Sequence, residues 1–298
     1  MKFDATIAGH RDVLGEAPHW DRENGLLYWV DIYPGLAHCL TPATGGLRTW
    51  RLGEPVSAVV PRAAGGLLVA LASGLSCLDP VSGELEPLLA LEPAALGNRA
   101  NEARVDPTGR FWVATMQNDV GPDLDELPVT RSSGSLYRID PGPRAIAVEH
   151  GIGIANTVCW DEARARLYFG DSLAGVIWAY DWDSGTGAVS NRRVFAGNNE
   201  HGVPDGSALD AEGCLWNARW GGGCLIRYRP DGTIDRIVTL PVRQPTSCVF
   251  AGPGLRTLYV TSASTGLGEA VRAPGSLDGA VLEAAAPVAG QACTASRL

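Results

Sequence analysis

One frame recurs six times along this chain and limits its fold more than any other feature. Four copies read polar residue, three positions, apolar residue, Asp: Glu16-x-x-x-Trp20-Asp21, Asn101-x-x-x-Val105-Asp106, Asn156-x-x-x-Trp160-Asp161 and Asp205-x-x-x-Leu209-Asp210. Each is followed within a few residues by an apolar-aromatic run, such as Leu27-Tyr28-Trp29-Val30 or Leu215-Trp216-Asn217-Ala218. Two further copies start on Val56 and Thr246. The copies recur at intervals of about 40 to 55 residues, the length of one four-stranded propeller blade. Short apolar runs alternate with turn clusters such as Glu23-Asn24-Gly25 and Pro230-Asp231-Gly232, and no long stretch keeps helical periodicity. The chain therefore reads as all-β: a six-bladed β-propeller of four-stranded antiparallel blades, one domain over residues 1–298.

A ring of blades must be closed. Residues Phe3 to Ala8 are strand-like and precede the first frame, so they are expected to pair with the C-terminal blade around Gly279 to Glu283 and remove an exposed edge. The tail after Ala284 reads as irregular. Segments 117 to 134 and 197 to 204 read as longer loops, expected to border the mouth of the channel.

Residues at one repeat position occupy equivalent places, so Glu16, Asn101, Asn156 and Asp205 are expected to converge near one end of the channel. Two carboxylates meeting there would repel each other and lose hydration unless a cation neutralised them, and a hard divalent ion with oxygen ligands resolves that conflict. The plainer alternative is that each polar residue caps a local turn. Asp106, Asp161 and Asp210 are assigned to that role, as hairpin-turn residues. Arg99, two residues before Asn101, points the same way in an extended segment. Fork and amide together suit the hydroxyls and carbonyl of a polar ligand; the alternative is an Arg paired with a neighbouring acid.

Other chemistry is excluded or weak. A net charge of -9 with no Lys/Arg cluster argues against nucleic acid. The N-terminus lacks the apolar core of a secretory signal and no stretch is long enough to span a bilayer, so a cytoplasmic protein without membrane contact is expected. The seven cysteines show no Cys-x-x-Cys and read mostly as buried thiols. Asp181-x-Asp183-x-Gly185 starts like an EF-hand loop, but Arg192 stands where the bidentate Glu belongs. There is no Gly-x-Ser-x-Gly elbow, and His201 reads as a solvated loop residue.

With the frames placed, the chain resembles the SMP-30/gluconolactonase/LRE family, which includes regucalcin and bacterial sugar lactonases. The resemblance is carried by Leu14-Gly15-Glu16-Ala17-Pro18, Leu27-Tyr28-Trp29-Val30-Asp31-Ile32, Asn98-Arg99-Ala100-Asn101, Ile154-Ala155-Asn156, Leu167-Tyr168-Phe169-Gly170-Asp171-Ser172 and Pro204-Asp205-Gly206. It implies a propeller holding one divalent cation through Glu16, Asn156 and Asp205, calcium first among the candidates and zinc, manganese or iron admissible. It also implies that Arg99 and Asn101 hold the substrate, with Asp119 where some members have a substrate-binding Glu. The activity implied is hydrolysis of sugar (aldono-) lactones to sugar acids, the cation polarising the lactone carbonyl and Asp205 acting as general base. Asn101-Glu102-Ala103-Arg104 departs from the family's usual Asn-Asp-Gly-Lys. The alternatives are a non-enzymatic calcium-binding regulator, an arylesterase-type propeller hydrolase and a plain protein-interaction propeller. The partner expected is a small-molecule sugar lactone; oligomeric state stays open.

Overall fold

The apolar runs form strands, and the strands form six antiparallel four-stranded sheets, the blades of a six-bladed β-propeller. The structure is a computed structural model that describes residues 1–268 and 275–298. The innermost strands carry the frame: Gly15–Asp21, Val56–Pro61, Asn98–Val105, Ala155–Asp161, Val203–Leu209 and Pro245–Ala251 open blades 1 to 6 in turn. The aromatic runs form the second strands, for example Leu26–Asp31 in blade 1 and Leu215–Trp220 in blade 5. Burial falls outward. Every residue of Gly15–Asp21 is buried, whereas Gly46–Arg51, the outer strand of the same blade, buries only Trp50. An inner strand is packed by neighbouring blades, so even its polar residues are buried; an outer strand lies at the rim and faces water.

Blade 6 takes its outer strand from the other end of the chain. Asp4–Ala5 pairs antiparallel with Leu282–Ala285, Asp4 opposite Glu283 and Ala5 opposite Leu282. One more bond, from Thr6 N to Val281 O, extends the pairing before the chain turns away. The closing strand is thus shorter than the run from Phe3 to Ala8: the chain bends at Thr6 and Ile7 and enters a turn closed by His10 N on Ile7 O, in which Gly9 takes a φ of 75°. Between blades the core is aromatic: Trp112 packs edge-on against Trp160 at 5.6 Å, and Trp216 against Phe250 at 6.1 Å.

The repeated Asp at the end of the frame is a turn-holder, as expected. Asp106 accepts from Thr108 N, Thr108 Oγ1, Arg110 N and the Trp112 indole. Asp210 does the same for Glu212 N, Cys214 N and Trp216. One carboxylate therefore fixes both the hairpin and the large side chain of the following strand. Asp106→Ala strands these buried donors and is expected to cost about 1–3 kcal/mol; an unchanged denaturant midpoint would show that the turn holds without it.

The tail beyond Ala285 has no regular structure but is tightly held across one end of the ring. Gln291 N bonds Leu209 O, Ser296 N bonds Pro61 O, and Arg297 N bonds Gly109 O, so it touches blades 5, 2 and 3 in succession. Gly290 lies against the Phe250 ring, where a Cβ would come within 2.0 Å of side-chain carbon. The tail thereby lies over that end of the channel, where Gln291 to Thr294 line a pocket with His19 and Arg104.

Candidate active site

Each innermost strand carries one extra residue relative to its neighbour, a bulge at the frame's first position or directly after it. A bulge twists the strand and re-aims a side chain. Here it turns Glu16, Asn101, Asn156 and Asp205 into the channel mouth. Beside Glu16 and Asn156, Ala17 and Thr157 sit at a positive φ of 48°. For a β-branched residue that conformation persists only when the surroundings hold it. The Thr157 hydroxyl does so, donating to the Asp205 carbonyl and pairing with Ser207 Oγ at 2.9 Å.

Two carboxylates set the approach to these bulges. Asp31 accepts from Val13 N and Leu14 N, just before Glu16. Asp171 accepts from Gly153 N and Ile154 N, just before Asn156. The two Asp residues follow Glu16 and Asn156 at the same spacing, and no other frame has an Asp there. That coincidence was available in the sequence as a mark of these two blades.

All six residues singled out from the sequence line one pocket of about 520 Å³, counted to where it opens to solvent. Glu16, Asn156 and Asp205 are 6%, 5% and 4% exposed. The Glu16 and Asp205 carboxyls are close enough for each to influence the other's ionisation. Burial, with the charge of Glu102 next, pushes Glu16 up to about 8. Burial and then Glu16 drive Asp205 well above the usual carboxylate range. Asn156 donates through Nδ2 to Ser172 Oγ at 2.8 Å, and Ser172 in turn donates to Pro204 O at 2.5 Å, a chain that joins blades 4 and 5. The Asn156 Oδ1 is left toward the channel, 3.5 Å from Asn101 Nδ2. Two buried carboxyls and a buried carboxamide oxygen lining one pocket fit a hard divalent cation: without one, the carboxyls must be neutralised by protons.

The second group is organised by Arg99. Its Nε and Nη2 both approach Asp119 Oδ1 at 2.7 Å, and its Nη1 donates to Asn101 Oδ1 at 2.6 Å. Tyr33 OH bonds the other Asp119 oxygen at 3.1 Å. Arg99 is therefore paired with an acid, and it holds Asn101 and Asp119 in the pocket lining. Loop 117 to 134 supplies Asp119 and Glu126 to the wall, and the second loop supplies Val203. His201 does not reach the pocket; its ring lies 3.7 Å from Glu200. Ile32, Met116, Ile154 and Trp220 make an apolar side.

Glu102 escaped the sequence reading. It is 1% exposed, lies 3.3 Å from Arg104 and acts electrostatically on both Glu16 and Asp205. Arg104 also donates to Ser247 Oγ at 3.0 Å, on blade 6. The departure Glu102-Ala103-Arg104 thus places a balanced ion pair beneath the carboxyl pair. The residue before it, Asn101, is the bulge, and strand alternation alone does not predict where Glu102 points.

The fold is a six-bladed propeller, and its channel holds a pocket lined by Glu16, Asp119, Glu126 and Asp205. Residues 14–264 match the SMP-30/Gluconolactonase/LRE-like region. The chain is 38% identical over 253 residues to the 6-deoxy-6-sulfogluconolactonase of Pseudomonas putida, covering 84% of this chain and 83% of that one. It is 34% identical to the pentonolactonase of Haloferax volcanii, covering 84% and 81%. The structure of a calcium-binding protein, regucalcin, from Agrobacterium tumefaciens superposes with a TM-score of 0.88 at 31% identity, covering 97% and 95%. The chain belongs to the SMP-30/gluconolactonase/LRE-like family.

Proposed function

We propose that this protein is a divalent-cation-dependent lactonase that opens sugar lactones to sugar acids. The observation that carries the reading is that two buried carboxyls, Glu16 and Asp205, line one pocket together with the buried Asn156 and act electrostatically on each other. Glu16, Asn156 and Asp205 would hold the ion. When bound, such a cation polarises a carbonyl and stabilises developing oxyanion charge. Asp205 takes the proton from the attacking water and returns it to the ring oxygen as the ester C–O bond breaks; an activated ester needs only a weak base. Asn101 and Asp119, oriented by Arg99, bond the ring hydroxyls, while the apolar wall of Ile32 and Trp220 packs against the sugar's carbon face. All seven cysteines are free, in keeping with a reducing cytoplasm.

The names of the two lactonase relatives support this reading, and the regucalcin relative supports a second, a calcium-binding protein without turnover. A pH-stat screen separates them. Pentono- and hexonolactones should be hydrolysed well above background and faster than phenyl esters; no turnover of any lactone would favour the regulator. Within the enzymatic reading, Asp119→Asn keeps the shape and loses the charge, and is expected to raise KM about tenfold with kcat changed less than about threefold. A kcat loss equal to that of an Asp205 variant would move Asp119 into the chemistry.

A further inference from the structure

A second cluster of ligating side chains lies away from the channel mouth, at the junction where the ring closes. His10 and Asp12 belong to the segment leading into blade 1, and His38 to its third strand, Leu36–Thr41. Asp12 and His38 are 1% and 2% exposed. His10 Nε2 stands 2.8 Å from Asp12 Oδ1, and His38 Nε2 stands 3.5 Å from the same oxygen. Among the described residues His38 Nε2, although buried, has no hydrogen-bond partner. One ligand atom from each residue falls within 4.8 Å of the other two.

The surroundings fit ligation better than a packed core. His38 is engaged through its other nitrogen, Nδ1, by Thr49 Oγ1 at 2.8 Å. Asp12 Oδ2 accepts from the Trp29 indole at 3.0 Å, which leaves Oδ1 for the two imidazoles. Outer partners of this kind hold metal-binding His and Asp in place. Tetrahedral zinc with bonds of about 2.0–2.1 Å sets its ligands about 3.3 Å apart. The Asp12–His38 separation already has that value within a few tenths of an ångström, and the His10 contact needs only to open. His10 keeps 17% of its side chain exposed, which gives an ion an entry and a water a fourth position. Gly15 makes room: a Cβ there would lie 2.7 Å from Asp12 Oδ2.

We propose that His10, Asp12 and His38 form a transition-metal site, of zinc type, that clips the closing junction of the propeller. Two imidazoles and a carboxylate select zinc, nickel or copper over calcium, whereas the channel set is all oxygen. Asp12 is itself tied to the blade 6 side, through its N–H to Gly279 O at 2.7 Å and through Ser264 Oγ to its carbonyl at 2.7 Å. An ion there joins that segment to blade 1 beside the point where the two ends of the chain meet.

The test uses the full chain carrying Asp205→Ala, so that the channel does not compete, stripped and then loaded with zinc alone. Metal analysis after desalting is expected to find one zinc per chain, zinc-edge X-ray absorption to show imidazole scattering, and the melting temperature to rise with zinc. Adding His38→Gln, or separately His10→Gln on the more exposed ring, should abolish all three, and H10Q alone should leave lactone hydrolysis unchanged. Failure of the Asp205→Ala protein to retain zinc overturns the site. Zinc retained at full stoichiometry by either folded His variant, or absorption without imidazole scattering, overturns it equally.

Discussion

Asp205→Ala protein is expected to remain folded and to hydrolyse its preferred lactone at least about 10³-fold more slowly than the parent. The substitution removes a cation ligand and the proposed base together, and losses of this size are typical when groups acting only in the transition state are removed. Asp205→Asn, which keeps an oxygen donor but not the charge, should fall between the two. Folding is the informative control. In the metal-free protein Asp205 and Glu16 are buried against each other, so removing one relieves a conflict. The metal-free Asp205→Ala protein should therefore melt no lower than the metal-free parent. Near-normal turnover would remove Asp205 from the mechanism, and a collapsed fold would show that the residue is structural.

The second large effect is on pH. In the unfolded chain these carboxyls ionise near pH 4. In the folded, metal-free channel burial raises Glu16 to about 8, raises Asp205 well above its ordinary value and also raises Glu102. The folded state then keeps protons that the unfolded state has released. This contribution to stability is fully present below the unfolded values and is lost as pH rises through the folded ones. Metal-free protein should accordingly lose stability between about pH 5 and 8. A cation must displace the same protons, so its apparent affinity should climb by up to about tenfold per pH unit for each proton released. Calorimetric titration in two buffers of different ionisation enthalpy counts those protons. Affinity independent of pH from 6 to 8 would mean that the carboxyls are already ionised and held some other way.

The architecture was legible because it repeats. Copy number gave six blades, the position of the aromatic runs gave the second strands, and the convergence of Glu16, Asn101, Asn156 and Asp205 followed from equivalence alone. Division of labour among the four was not legible from the frame; it came from the family resemblance. The bulges explain part of the difficulty. They shift the register by one residue just where the side chains matter, so alternation fails at Asn101 and Glu102. Arg99 was harder still, since its pairing with Asp119 depends on the path of loop 117 to 134. Asp31 and Asp171, by contrast, stood at matching places in their repeats and could have been read as the anchors they are.

The central claim is that an ion held at Glu16, Asn156 and Asp205 drives lactone opening, and its most direct measurement is turnover against metal occupancy. Protein stripped by chelator should lose at least about 100-fold of its lactone hydrolysis and regain it in proportion to added divalent cation, saturating near one channel equivalent. Full activity in stripped protein, with metal analysis confirming an empty channel, would contradict the account.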